Sequence, residues 1–236
     1  MTTVGAESAR LLTIYADLER MHAWRGWHWW PDADPFEVIV GSILVQNTAW
    51  ANVERALEKL RAAGSLDPVS MGQLPTEDLE ALIRPSGQYR QKAKKLCAFL
   101  DVANARGGVE SLLALPADEL RAACLGTWGI GPETADCIVS YAARQPAFVM
   151  DAYTQRLFGR LGIGPVDSTD YHDWQRFFVS NLGGGIALPE DAPTLRDLYS
   201  RYHALIVMHC KHLCLKRAPR CGECAFAGWC PAATVS

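Results

Sequence analysis

Two features of the sequence predict an all-α fold. No stretch alternates apolar and polar residues with period two for long enough to form a strand. Apolar residues recur instead every three or four positions along most of the chain. Glycines and prolines fall between these periodic segments, where they would stop and start helices. With 236 residues, 49% of them hydrophobic, the chain can bury a core as one large or two small domains.

The elements follow in order. From Ala6 to Ala23, Leu11, Ile14, Tyr15, Leu18 and Met21 keep helical spacing. The next stretch, HAWRGWHWWPDADP, holds Trp24, Trp27, Trp29 and Trp30 ahead of Pro31. Tryptophans this dense either fill a packed corner or form a stacking wall for a flat ligand such as a base. PFEVIVGSILVQNTAW is too evenly apolar for a surface helix and too long for a strand, so a buried helix is expected. Its polar end, Gln46-Asn47-Thr48, is expected to cap a second helix that Gly64 stops. At the mouth of a DNA site, Gln46 and Asn47 would instead fill the gap left by an extruded base.

Pro75 and Thr76 open a further helix that Pro85 ends. A glycine turn then leads into a helix carrying Arg90, Lys92, Lys94 and Lys95, a run that is either a solvated face or a row of phosphate contacts. PADELRAACLG follows. Beyond Asp151 come a short helix ended by Gly162, another ended by the glycines at 183–185, and a long one with Leu195, Leu198, Tyr202, Leu205 and His209 on one side.

The stretch Leu125–Asp151, LGTWGIGPETADCIVSYAARQPAFVMD, carries the strongest local signal. Gly129 permits a tight positive-φ turn with Gly131, and Pro132 suits the first helical position. Such a corner aims unpaired N–H groups outward, where they can receive a phosphate oxygen; it is equally compatible with an ordinary helix–turn–helix corner. Asp151 closes the apolar run after it. A net charge of −3 and an isoelectric point near 6.1 exclude nucleic-acid binding by bulk attraction, so any DNA contact must rest on local cations and backbone donors. The N-terminus lacks a basic stretch followed by an apolar one, and no apolar run approaches the roughly 20 residues of a membrane span. A cytoplasmic protein is expected, nucleoid-associated in a prokaryote.

Of the eight cysteines, Cys210, Cys214, Cys221, Cys224 and Cys230 crowd the C-terminal end, where they read as metal ligands rather than disulfides. Cys214-x6-Cys221-x2-Cys224-x5-Cys230 can close around one centre, either tetrahedral zinc or an iron–sulfur cluster. Cys210 falls outside the pattern and is expected to be a buried thiol.

The glycine corner with its downstream aspartate resembles the helix–hairpin–helix motif of the endonuclease III superfamily of DNA glycosylases. The cysteine spacing is similar to that superfamily's C-terminal [4Fe-4S] loop. The resemblance runs from about Trp29 to Pro231 and implies two helical domains with a DNA groove between them. One would be a central bundle over 35–145, the other 1–34 with 146–236, the latter holding the cluster loop 214–230 on Cys214, Cys221, Cys224 and Cys230. Asp151 would be the catalytic aspartate. Gln46, Asn47, Gly129, Gly131 and Thr134 would contact DNA, as would Lys216, Arg217 and Arg220 of the cluster loop. The partner would be duplex DNA containing a damaged base, met by a monomer.

This chain departs from the strand-cutting members at Glu133, where those carry a lysine, and a carboxylate cannot form a Schiff base with the sugar. A monofunctional enzyme with weak or absent lyase action is expected. WWPDADPFEVIVGSILVQNTAW, GIGPETAD and LYSRYHALIV look most like the 3-methyladenine glycosylase branch, which would place Trp29, Trp30, Pro31, Trp50 and Lys211 at the base pocket. Electron-poor alkylated purines stack well on tryptophan. The competing expectations are an endonuclease III-like glycosylase and lyase for oxidised pyrimidines, and a DNA-damage binder without catalysis.

Overall fold

A computed structural model describes residues 5–22 and 33–234. Every regular element among the described residues is helical, with no strand. The helices are α1 (Ala6–His22), α2 (Pro35–Leu44), α3 (Trp50–Ala62), α4 (Pro68–Gln73), α5 (Thr76–Ile83), α6 (Tyr89–Asn104), α7 (Val109–Leu113), α8 (Ala117–Leu125), α9 (Pro132–Cys137), α10 (Ala152–Leu161), α11 (Tyr171–Leu182) and α12 (Leu195–His212). Helix α9 continues as a wider π-helical turn over Ile138–Ala142. None is long and apolar enough to cross a membrane.

The chain divides into two compact units, Trp30–Ala147 and Met1–Trp29 with Phe148–Ser236. The first is built on α2, which is apolar on every side and buries Phe36, Val38, Ile39, Val40, Ile43 and Leu44. A helix of that kind belongs at the centre of a bundle. Asp34 caps it by accepting from the Phe36 N–H, and Pro35 takes the first turn. Around it pack α3, α6, α9 and the π-turn. Each buried aliphatic side chain there contributes about 1.5–3 kcal/mol by leaving water.

The second unit is aromatic at its core. Phe148 stacks on Phe178 with centroids 4.3 Å apart, and Phe158, Tyr199 and Tyr202 meet that pair edge-on. Helix α12 runs through this core beside α1 and α10. Tyr202, inside it, donates to the Leu11 carbonyl at 2.7 Å and so satisfies its hydroxyl.

The structure corrects two expectations. Gln46-Asn47-Thr48 do not cap α3: its N-cap is Ala49, which places no side-chain hydrogen bond on the first turn. Thr48 instead accepts from Asn52, and Asn47 turns the chain at φ +56°. The basic run on α6 is not one solvated or phosphate-facing row. Lys92 is 1% exposed and donates to the carbonyls of Leu44 and Ser86 at 2.8 and 2.6 Å, which binds the end of α2 to the turn before α6. Three or four residues per turn put Lys92 on the inner face while Arg90 and Lys94 stay outside.

Candidate active site

The hairpin lies in the Trp30–Ala147 unit between α8 and α9. Thr127 donates to the Ala123 carbonyl and Ile130 is buried, so the corner is anchored at both sides of an exposed Trp128-Gly129 tip. Gly129 holds φ +79°, and a Cβ there would stand 2.7 Å from Lys95 Cγ and Cε. Glycine is therefore required twice over, by backbone conformation and by the Lys95 stem. Lys94 lies over the Trp128 ring with its Nζ 4.1 Å from the centroid. Arg121 ties α8 to α9 through a two-pronged pair with Asp136, at 2.7 and 3.2 Å.

Gly131 is the N-cap of α9, extended at φ −94°, and leaves the first turn without a side-chain cap. Pro132 occupies the first turn as expected. Glu133 is exposed on that turn. Thr134, by contrast, is buried and its hydroxyl accepts from Gln46 Nε2 at 2.9 Å. The Gln46 carbonyl in turn accepts from Lys95 Nζ. Gln46, Lys95 and Thr134 thus form one polar chain that fixes the turn after α2 to the hairpin helix, while Asn47 stays exposed. Trp50, half-buried at the start of α3, donates to Glu54 at 2.8 Å. Trp29, Trp30 and Pro31 lie outside the described residues.

Asp151 lies in the other unit, at the N-cap of α10. Its Oδ1 accepts from the Thr154 N–H at 2.7 Å and from the Thr154 hydroxyl at 3.0 Å. Oδ2 meets Nε2 of His203, on α12, at 3.3 Å. The two side chains are 10% and 3% exposed. Burial works against the charged carboxylate, but the hydrogen bond and charge of His203, with the two Thr154 donors, outweigh it and hold Asp151 below the usual carboxylate range. The result is a nearly dry carboxylate that is ionised. His203 could not be found from the sequence, because 52 positions separate it from its partner and nothing in its local pattern marks it.

The four cysteines Cys214, Cys221, Cys224 and Cys230 line one pocket, with Leu157, Arg160, His209 and Phe226 around them. Among the described residues no three Cys, His, Asp or Glu side chains are grouped to hold a single metal ion. Four thiols lining one pocket are a donor set that either a zinc ion or an iron–sulfur centre accepts. Arg160 donates to Cys214 Sγ at 3.2 Å and to the carbonyls of Leu215 and Lys216. Arg156 donates to the carbonyls of Cys210 and Cys214. The Cys210 thiol and, against burial, the Arg160 guanidinium draw the Cys214 thiol toward its thiolate form. Cys210 itself is buried and directed at the Tyr153 carbonyl. Lys216, Arg217 and Arg220 are exposed on the cysteine loop, and Lys211 is exposed on the last turn of α12.

Comparison with known proteins agrees with this geometry. A family profile described as HhH-GPD superfamily base excision DNA repair protein matches residues 40–173. The chain is 39% identical over 206 residues to a Methanocaldococcus jannaschii protein provisionally named a DNA repair glycosylase, covering 86% of this chain and 88% of that one. It is 27% identical over 205 residues to endonuclease III of Thermotoga maritima, covering 84% of each. Among solved structures, the Helicobacter pylori 3-methyladenine DNA glycosylase bound to 1,N6-ethenoadenine superposes with a TM-score of 0.73 at 29% identity, over 85% of this chain and 97% of the other. With its hairpin, its downstream aspartate and more than half its length matched, the chain belongs to the HhH-GPD superfamily of base excision DNA repair proteins.

Proposed function

We propose that the protein is a monofunctional DNA N-glycosylase that turns a damaged nucleotide out of duplex DNA and releases an alkylated purine such as 3-methyladenine. The observation that carries this reading is Asp151, a buried carboxylate kept charged, with Oδ1 held by Thr154 of its own helix and Oδ2 facing His203. In the reaction the bond between C1′ and the base nitrogen breaks and its electron pair leaves with the base. Positive charge builds on the sugar, and Asp151 stabilises it in surroundings where water screens little. Water then adds its oxygen to C1′ and gives up a proton. An N-alkylated purine leaves readily, so little acid assistance is needed. Turning the nucleotide out costs a few kcal/mol and selects for weakened pairs.

At the corner, Gly129 and Gly131 would offer amides to a backbone phosphate, with Lys216, Arg217 and Arg220 adding cations on the cysteine loop. Glu133 on the first turn of α9 supplies no amine for a Schiff base, which supports hydrolysis without strand cutting. The likeness to the H. pylori enzyme supports an alkylated purine. Cys214, Cys221, Cys224 and Cys230 would hold a [4Fe-4S] cluster, whose contribution is to order the basic loop around it.

A panel of lesion duplexes, assayed with and without alkali, tests this. Methylpurine is released and the strand stays intact until alkali is added. An efficient borohydride-trapped adduct would overturn the monofunctional reading. The likeness to T. maritima endonuclease III favours a second substrate class, oxidised pyrimidines, and release of thymine glycol with no methylpurine would select it. No turnover on any lesion despite tight binding would mark a damage-binding protein. An absorbance shoulder near ~400 nm is expected for the iron–sulfur centre and absent for zinc.

A further inference from the structure

Two of the three donors on the Asp151 carboxylate fall on Oδ1, and both belong to Thr154. Those are local contacts that any N-cap aspartate can make. Oδ2 is held differently, by a side chain 52 residues later. An ionised carboxylate can only accept, so the facing Nε2 of His203 carries the proton. His203 is 2% exposed on the middle turns of α12, and the neighbouring Tyr202 and Ile206 are fully buried in the aromatic core. The imidazole is therefore fixed by the packing of its helix rather than by solvent or loop conformation.

We propose that His203 is the positioning residue for Asp151: its Nε2–H, delivered to Oδ2 from a separate helix, fixes the rotamer of the carboxylate and favours its charged form. This rests on the reading of Asp151 as the catalytic carboxylate. The other groups near Asp151 do not replace His203 in this task. Tyr153, on the same helix, is kept a neutral phenol by burial and by the Asp151 charge. Cys210, on α12, directs its thiol at the Tyr153 carbonyl instead. Arg156 spends its donors on the Cys210 and Cys214 carbonyls and stacks over Tyr153. Only His203 delivers a donor to Oδ2 from a separate element among the described residues, and it does so without blocking Oδ1 as a cap.

The test is single-turnover base release, with enzyme in excess, on whichever lesion the panel shows to be processed. His203→Leu keeps the volume and removes the donor. It lowers the rate by about 10²-fold, as misplacing a reacting group does, leaves duplex affinity unchanged, and moves the acid limb of the pH–rate profile to higher pH. His203→Gln returns an N–H near the position of Nε2 and restores most of the rate and the original acid limb. A wild-type measurement keeps the proposal open to refutation should His203→Leu not fold: nitrogen-15 NMR of the histidine rings finds His203 with its proton on Nε2. A proton on Nδ1 alone overturns the proposal, as does a wild-type rate and pH profile in His203→Leu. Asp151→Asn separates the two readings. If it is inactive while His203→Leu is normal, the positioning role alone fails; if it is fully active, the catalytic assignment fails and takes this proposal with it.

Discussion

The two helix N-termini that matter most are finished in opposite ways. At α9 the cap is Gly131, which brings no side chain to the first turn. At α10 it is Asp151, whose carboxylate occupies the corresponding amides through Thr154. Both termini carry the same partial positive charge from aligned peptide dipoles. One receives no side chain from its cap residue and has Glu133 on its first turn; the other spends the charge on holding its own cap carboxylate in place. The lesson is that whether a helix start stays open or holds an anion of its own depends on whether its cap residue owns a side chain.

Replacing Asp151 by asparagine sharpens this contrast most. Asparagine caps about as well as aspartate but carries no charge. We expect a fall in base release of about 10³-fold, in line with removal of a preorganised electrostatic group, and a lower thermal unfolding temperature near neutral pH, where the charged carboxylate contributes to stability. The pH dependence gives a second readout. The folded state holds Asp151 below its unfolded pKa, so its contribution to stability is present above the unfolded value and is lost as pH falls through the folded one. Acid unfolding curves of the wild type and Asp151→Asn therefore converge at low pH. A parallel offset at every pH would show that the charge does not matter to the fold.

Gly129→Ala comes next. With φ at +79° and Lys95 carbons 2.7 Å from the added Cβ, it destabilises the hairpin unit by about 1–2 kcal/mol, measurable by urea titration. Gly131→Asp would turn the open terminus into a copy of the closed one. The backbone there is extended and a Cβ meets nothing within 4 Å, so the carboxylate fits. Stability stays level or rises slightly while duplex affinity falls by about tenfold, since the new anion competes with the phosphate. Unchanged affinity would show that this terminus does not meet DNA. The smallest effect is expected for Gly131→Ala, within about 0.5 kcal/mol of wild type.

The sequence revealed those features whose cause is local. Helix α1, the stop at Gly162 and the proline at the start of α9 are all settled by neighbours a few positions away. Asp151 was legible both as a cap and as a candidate reactive group, and the structure finds the cap made with one oxygen alone. What depended on distant partners stayed hidden. Lys92 looked like its neighbours Lys94 and Lys95 until two carbonyls claimed it, and His203 carried no sign of the carboxylate it faces. Gln46 read as a helix cap because it precedes α3, whereas its partners are Thr134 and Lys95, much farther along the chain. The short helices α4 and α7 lack enough turns to show a periodicity at all.

The burial of Lys92 turns an ordinary amine into an internal gauge. Acylating reagents will label its surface neighbours within the folded protein, but they will reach Lys92 only when the bundle around α2 opens. Mass spectrometry of that one peptide during a denaturant series would thus follow the melting of the hairpin unit separately from whatever happens in the aromatic one.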